Sequence, residues 1–172
     1  SVPPEQAALF DELARESRPM DHGAARILAH VPFAARIDRE MRDYLRYRSS
    51  LPKDVVKLAI LVAARELDCA VIWHRHAASA AQAGIPRELV DALRDGAELP
   101  RVSDRLMAVI NYGRETYRRH TVCHGTFSVA RELFGERGVV EVGLLFGSYH
   151  MLAILFNATD EALPPEIGRA HV

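Results

Sequence analysis

The segment from Pro52 to Leu67 constrains the fold more than any other stretch, because it is apolar nearly all round. At about 100° per residue, Val55, Leu58, Ala59 and Val62 fall on one side. Ile60, Leu61 and Ala64 fall on the other. A helix without a wet side has to be surrounded by other elements or by a neighbouring subunit. The segment is therefore expected to be the central helix of the domain, capped by Ser50.

The remaining periods are helical as well. Nothing alternates apolar and polar at period two for long enough to read as a strand, so the fold class is all-α. Helices are expected over about 5–17, 23–30, 32–48, 52–67, 69–83, 86–93, 103–119, 126–134 and 139–157. The punctuation is chemical. Arg18-Pro19 ends the first helix, since the residue before proline is pushed out of the helical region. Gly84 and Gly135 close later ones. No linker divides the chain, so residues 1–172 read as one domain, with a frayed tail from Pro164.

Composition bounds the function. Apolar residues make up 49% of the chain, which points to a well-filled core or to apolar surface buried between subunits. A formal net charge of −1 gives no broad basic surface for nucleic acid. The longest apolar runs, 58–64 and 142–146, are too short to span a bilayer. The two cysteines, Cys69 and Cys123, form no CxxC and read as reduced thiols of a cytoplasmic protein.

A candidate site lies in the helix after the central one. There Cys69, Trp73, His76 and Ala80 fall along one stripe at spacings of four, three and four. Its imidazole suits acid–base work near neutral pH, and an adjacent imidazolium or helix N-terminus would lower a thiol toward thiolate. A core histidine bonded to a carbonyl, with Trp73 as packing, fits the same pattern. On the central helix, Lys57 sits among Ile60, Leu61 and Ala64. It reads as an anion anchor near His76 or as half of a structural ion pair. Glu66, on the stripe of Val55, Ala59 and Val62, reads as a proton partner for His76 or as a carboxylate reaching solvent. Tyr149, in the last buried helix, is a candidate hydrogen-bonding group. His120 and His124 flank Cys123 at metal-ligand spacing, but Thr121-Val122 and Gly125 favour a polar connection, so no metal is expected.

Residues 51–86, LPKDVVKLAILVAARELDCAVIWHRHAASAAQAGIP, resemble the core motif of the carboxymuconolactone decarboxylase family. There a long apolar helix is followed by Trp-x-x-His-x-x-x-Ala and a closing Ala-Gly-Ile, here Trp73, His76, Ala80 and Ala83-Gly84-Ile85. Residues 134–159 resemble the family's closing helix, so the likeness runs from about 25 to 159. It implies an alkylhydroperoxidase-D-like helical domain of about seven to nine helices, commonly a trimer or hexamer. The redox branch of the family carries Cys-x-x-Cys-x-x-x-His and a Glu nineteen residues before the His. Here Cys69 stands at the first thiol position, but Ile72 stands at the second and Lys57 replaces the Glu. A dithiol relay needs both sulfurs, because a second thiolate has to resolve the mixed disulfide. The resemblance thus implies the cofactor-free decarboxylase branch, acting on a small carboxylate or lactone. His76 would move the proton, Lys57 or Arg65 would hold the carboxylate, and Trp73 would form an apolar wall. Two alternatives remain: a peroxidase using Cys69, and a non-catalytic ligand-binding member.

Overall fold

The computed structural model of the protein describes residues 4–15 and 24–159. Among these, eight α-helices form the fold: α1 Ala7–Arg15, α2 Ala24–Leu28, α3 Pro32–Tyr47, α4 Lys53–Glu66, α5 Ala70–Ala77, α6 Arg87–Asp95, α7 Asp104–Arg119 and α8 His124–Thr159. Short 3-10 turns precede α1 at Pro4–Gln6 and follow α5 at Ala81–Ala83. The described residues contain no strand.

The apolar segment takes the expected place. Helix α4 touches α3, α5, α6, α7 and α8, and Val55, Leu58, Ala59 and Leu61 have no accessible surface. Its closest neighbour, α7, crosses it at Gly113. A Cβ there would lie 2.6 Å from both Val62 Cγ1 and Phe146 Cζ. Contacts below about 3 Å are repulsive, so only glycine permits this approach of α7 to α4 and α8.

Two local expectations change. Ser50 does not cap α4. Pro52 occupies that position without a side-chain cap, and Ser50 instead donates its backbone N–H and hydroxyl to Glu141 of α8, at 2.9 and 2.6 Å. Glu141 also accepts from Tyr44 and from Arg137 Nε. It is 2% exposed. Burial pushes its carboxyl up, but the hydrogen bonds from Ser50, Tyr44 and Arg137 outweigh burial and hold its pKa at about 2.

Second, α5 is shorter than its alanine-rich sequence suggests. Cys69 stands at its N-cap and the helix ends at Ala77. The chain then tightens to Gly84, which is left-handed at φ 83°. The Ile85 N–H reaches Ala80 O at 3.2 Å and the Gly84 N–H reaches Ala81 O at 2.9 Å, a Schellman pairing. It turns Ile85 into the core, where it is 2% exposed.

The last two expected helices are separated as expected, and α8 comprises both of them across a break. Gly135, at φ 72° and ψ 174°, breaks α8 where the sequence places a stop. The most apolar 18-residue window of α8 is hydropathic enough to cross a membrane, although no single apolar run is. Of that window, 56% is buried inside the fold, as in a core helix. The outer face of α8 leaves Val140, Leu144, Met151 and Ile154 exposed. Residues 16 and 17 of the first expected helix, and the tail from Pro164, lie outside the described residues.

Candidate functional site

Helices α4 and α5 pack together so that Lys57 meets the end of α5. Its ammonium lies 3.3 Å from His76 Nδ1 and donates to Ser79 Oγ at 2.8 Å. The Ser79 hydroxyl in turn donates to His76 O at 3.2 Å. An ammonium has only hydrogens to offer, so His76 Nδ1 accepts and the neutral ring carries its hydrogen on Nε2. No described residue bonds to Nε2.

Electrostatics keeps that ring neutral. His76 is 8% exposed. Burial, followed by the positive charges of Lys57, Arg46, Arg75 and Arg42, holds its pKa at about 3, far below the usual 6.5. Burial, and then Arg46, also hold the Lys57 ammonium below its ordinary value.

Tyr149 completes the centre. Its ring meets His76 edge-on, with centroids 5.6 Å apart. It is 2% exposed, and its hydroxyl has no hydrogen-bond partner among the described residues. Burial pushes the phenol further up, so it remains a neutral donor. A buried hydroxyl without a partner is uncommon and marks a place where a ligand atom can bind.

Both rings line a cavity of about 310 Å³. Arg39, Arg42 and Arg46 reach it from one stripe of α3, and Arg75 from α5. Arg42 is held by the buried Asp38. The Arg46 guanidinium lies 5.5 Å over the Tyr47 ring, and that of Arg75 lies 6.0 Å over Phe156. Asp43 is the one carboxylate among the described lining residues. Asp38 offsets Arg42, while Arg46 and Arg75 bring positive charge to the lining beside His76, which suits a small anion. Ile72, Leu152 and Phe156 supply apolar wall.

Residues 32–115 match the carboxymuconolactone decarboxylase family. The matched span runs from the start of α3 into α7. It contains the arginine stripe, Lys57, His76 and Ser79; Tyr149 lies beyond it. The all-helical architecture agrees with a carboxymuconolactone decarboxylase fold. No curated protein matches the chain.

Of the residues singled out in the sequence, the structure brings Lys57 and Tyr149 to His76 and places the others elsewhere. Trp73 is buried in the core and does not line the arginine cavity. Cys69 has no accessible surface, and burial pushes its thiol up, only partly offset by the N–H groups of Ile72 and Val71. That is the reverse of an activated thiolate. Glu66 stands nine residues along α4 from Lys57, about 13 Å of helix rise. Its carboxylate accepts from both Nε and Nη2 of Arg118 at 2.6 Å, with Arg114 at 3.6 Å. It is therefore a partner of α7 and not of His76. Arg65 is held by Asp68 and by Arg94 O. The arrangement also corrects the ion-pair reading of Lys57, which among the described residues bonds to an imidazole and a hydroxyl and forms no salt bridge.

Cys123 and Cys69 are both free thiols. The described residues hold no group of three or more His, Cys, Asp or Glu able to bind a metal. Sequence reasoning missed Ser79 and the α3 arginines. The arginines had a signal, since positions 39, 42 and 46 share a helix face at intervals of three and four. Ser79 had a weaker one. It stands three residues after His76, but in a stretch read as continuous helix.

Proposed function

We propose that the protein is a cofactor-free enzyme of the carboxymuconolactone decarboxylase type, acting on a small carboxylate or lactone by acid–base chemistry at His76. The observation that carries this reading is the neutral, buried imidazole. Its Nδ1 rests on Lys57 and its Nε2–H is left for a cavity rich in guanidinium. A carboxylate borne on a saturated carbon next to a carbonyl, or vinylogous to one, would enter with its charge on Arg46 and Arg75. As the carbon–carboxylate bond breaks, carbon dioxide leaves and the electron pair moves into the substrate's own carbonyl, giving an enolate. The Tyr149 hydroxyl would donate to that oxygen, an interaction that strengthens as charge develops. His76 Nε2–H then protonates the carbon while the Lys57 ammonium passes a proton to Nδ1. Lys57, half-buried, recovers its proton from solvent, and Ser79 positions its nitrogen. The raised thiol of Cys69 speaks against a peroxidase cycle.

The test is turnover of carboxymuconolactone-type substrates, followed by release of carbon dioxide, in the wild type and in His76→Gln. Loss of roughly a hundredfold or more is expected for removal of a positioned proton donor. Unchanged turnover in the variant would remove His76 from the chemistry. Binding of the carboxylate by the wild type without conversion would reduce the protein to a ligand-binding member.

We also infer that the chain self-associates through α8. Val140, Leu144, Met151 and Ile154 are exposed at intervals of four, seven and three, which keeps them on one seam of the helix.

A further inference from the structure

A second cavity of about 310 Å³ opens between the C-terminal half of α7, the connection 120–123 and the middle of α8. Its walls are rings. Tyr112 stacks on Phe146 with planes 9° apart and centroids 6.0 Å apart. Tyr117 meets Phe146 edge-on at 5.6 Å and lies 5.5 Å from His150. On the α8 side, Gly143 and Gly147 leave bare backbone. A Cβ at Gly147 would meet nothing within 4 Å, and one at Gly143 would only touch the Tyr112 hydroxyl at 3.8 Å. The result is a flat-sided slot.

Its polar groups are few and uneven. The Tyr117 hydroxyl donates to Phe146 O at 2.8 Å, and the Thr116 hydroxyl to Tyr112 O at 2.8 Å. The Tyr112 hydroxyl bonds to no described residue and faces the cavity region. Burial pushes that phenol up, which keeps it a neutral donor. At the rim stands His120, whose backbone is left-handed at φ 57°. This is the conformation in which α7 ends, with His120 as its C-cap. None of the described lining residues is Asp, Glu, Lys or Arg. The two cavities therefore have equal volume and opposite character. A charged ligand here would lose hydration without meeting a counter-charge. A planar ring would gain offset or edge contacts on several sides.

We propose that this cavity is a second small-molecule site, taking a planar, uncharged aromatic compound whose hydroxyl or carbonyl pairs with the Tyr112 hydroxyl. The site stands apart from His76, so it holds or fails independently of the decarboxylase reading. The probe is 2-naphthol, titrated into the full chain and followed by ligand-observed NMR and by the ring protons of His120 and His150. Saturable binding is expected, with the same affinity in His76→Gln. Thr116→Phe places a ring of its own in the slot and is expected to weaken binding at least tenfold with the helical circular dichroism unchanged. Tyr112→Phe keeps the stack and removes the hydroxyl, and is expected to weaken binding roughly threefold to tenfold, the range for one neutral hydrogen bond. 2-Naphthoate, the same ring with a carboxylate, is expected to shift His120 and His150 only at concentrations at least tenfold higher. The proposal is overturned if the wild type shows no saturable binding, or if 2-naphthoate perturbs these histidines as readily as 2-naphthol. It is equally overturned if folded Thr116→Phe binds as the wild type does. Should Thr116→Phe not fold, undiminished binding by Tyr112→Phe overturns the pairing with that hydroxyl.

Discussion

Replacing Tyr149 by Phe should make the ligand-free protein more stable and the liganded protein less so. The Tyr149 side chain is 2% exposed, and its hydroxyl finds no partner among the described residues. Leaving such a group unsatisfied costs about 1–3 kcal/mol. The Phe ring keeps the packing and the edge contact with His76 at 5.6 Å, and only the oxygen is removed. Ligand-free Tyr149→Phe is therefore expected to gain about 1–3 kcal/mol in urea unfolding. Each kcal/mol should raise Tm by roughly 2–4 °C in a chain of this size. In the presence of a carboxylate ligand the order should narrow or reverse. The wild type then makes a hydrogen bond, worth about 0.5–1.5 kcal/mol, that the variant lacks. Urea melts of both proteins, with and without a saturating carboxylate, give the four numbers. A ligand-free variant that is no more stable than the wild type would refute the reasoning, because it would mean the hydroxyl is already satisfied.

The other expectations follow from neighbouring groups. His76 titrates near 6.5 in the unfolded chain and at about 3 in the fold, so between these values the unfolded state holds the extra proton. Stability should therefore be full above pH 6.5 and fall as pH drops toward 3, by roughly 2 kcal/mol at pH 5; His76→Gln should remove this component from the pH profile of unfolding. Glu66→Gln should cost about 1–2 kcal/mol through its arginine partners on α7 while leaving turnover unchanged; a large loss of activity would return Glu66 to the chemistry. In the native protein iodoacetamide should label Cys123 and spare Cys69, which mass spectrometry resolves, since one is exposed and the other buried. Leu144→Glu should lower the mass seen by light scattering if α8 carries the self-association.

Helix order was legible because proline and glycine punctuate the chain, and α4 was legible because its apolar circumference admits only one environment. What sequence could not supply was neighbours. Lys57 and Glu66 both read as charges on a buried helix, yet one meets an imidazole and the other two arginines. Which one meets His76 is decided by the packing of α5 and α7 against opposite faces of α4, and no local pattern encodes that. Alanine propensity extended α5 too far, because burial of Ile85 and the left-handed Gly84 override it. Ser50 satisfied the rule for a cap, but the buried Glu141 competes for its hydrogens. The α3 arginines were visible as a stripe, but a stripe of charge also describes a solvated face. Only the cavity beside it distinguishes the two.

Gly113 has a consequence for how the chain reaches this structure. A glycine inside a helix weakens it by roughly 0.5–1 kcal/mol relative to alanine. The peptide 104–119 on its own should therefore be mostly coil, since Gly113 and the β-branched and aromatic residues around it are poor helix formers. Restoring Cβ would strengthen the peptide and block the crossing with Val62 and Phe146. In the folding reaction α7 is thus set to acquire its helix as it acquires its neighbours. Early secondary structure should appear in α4 first, with α7 ordering only when that helix and α8 are there to receive it.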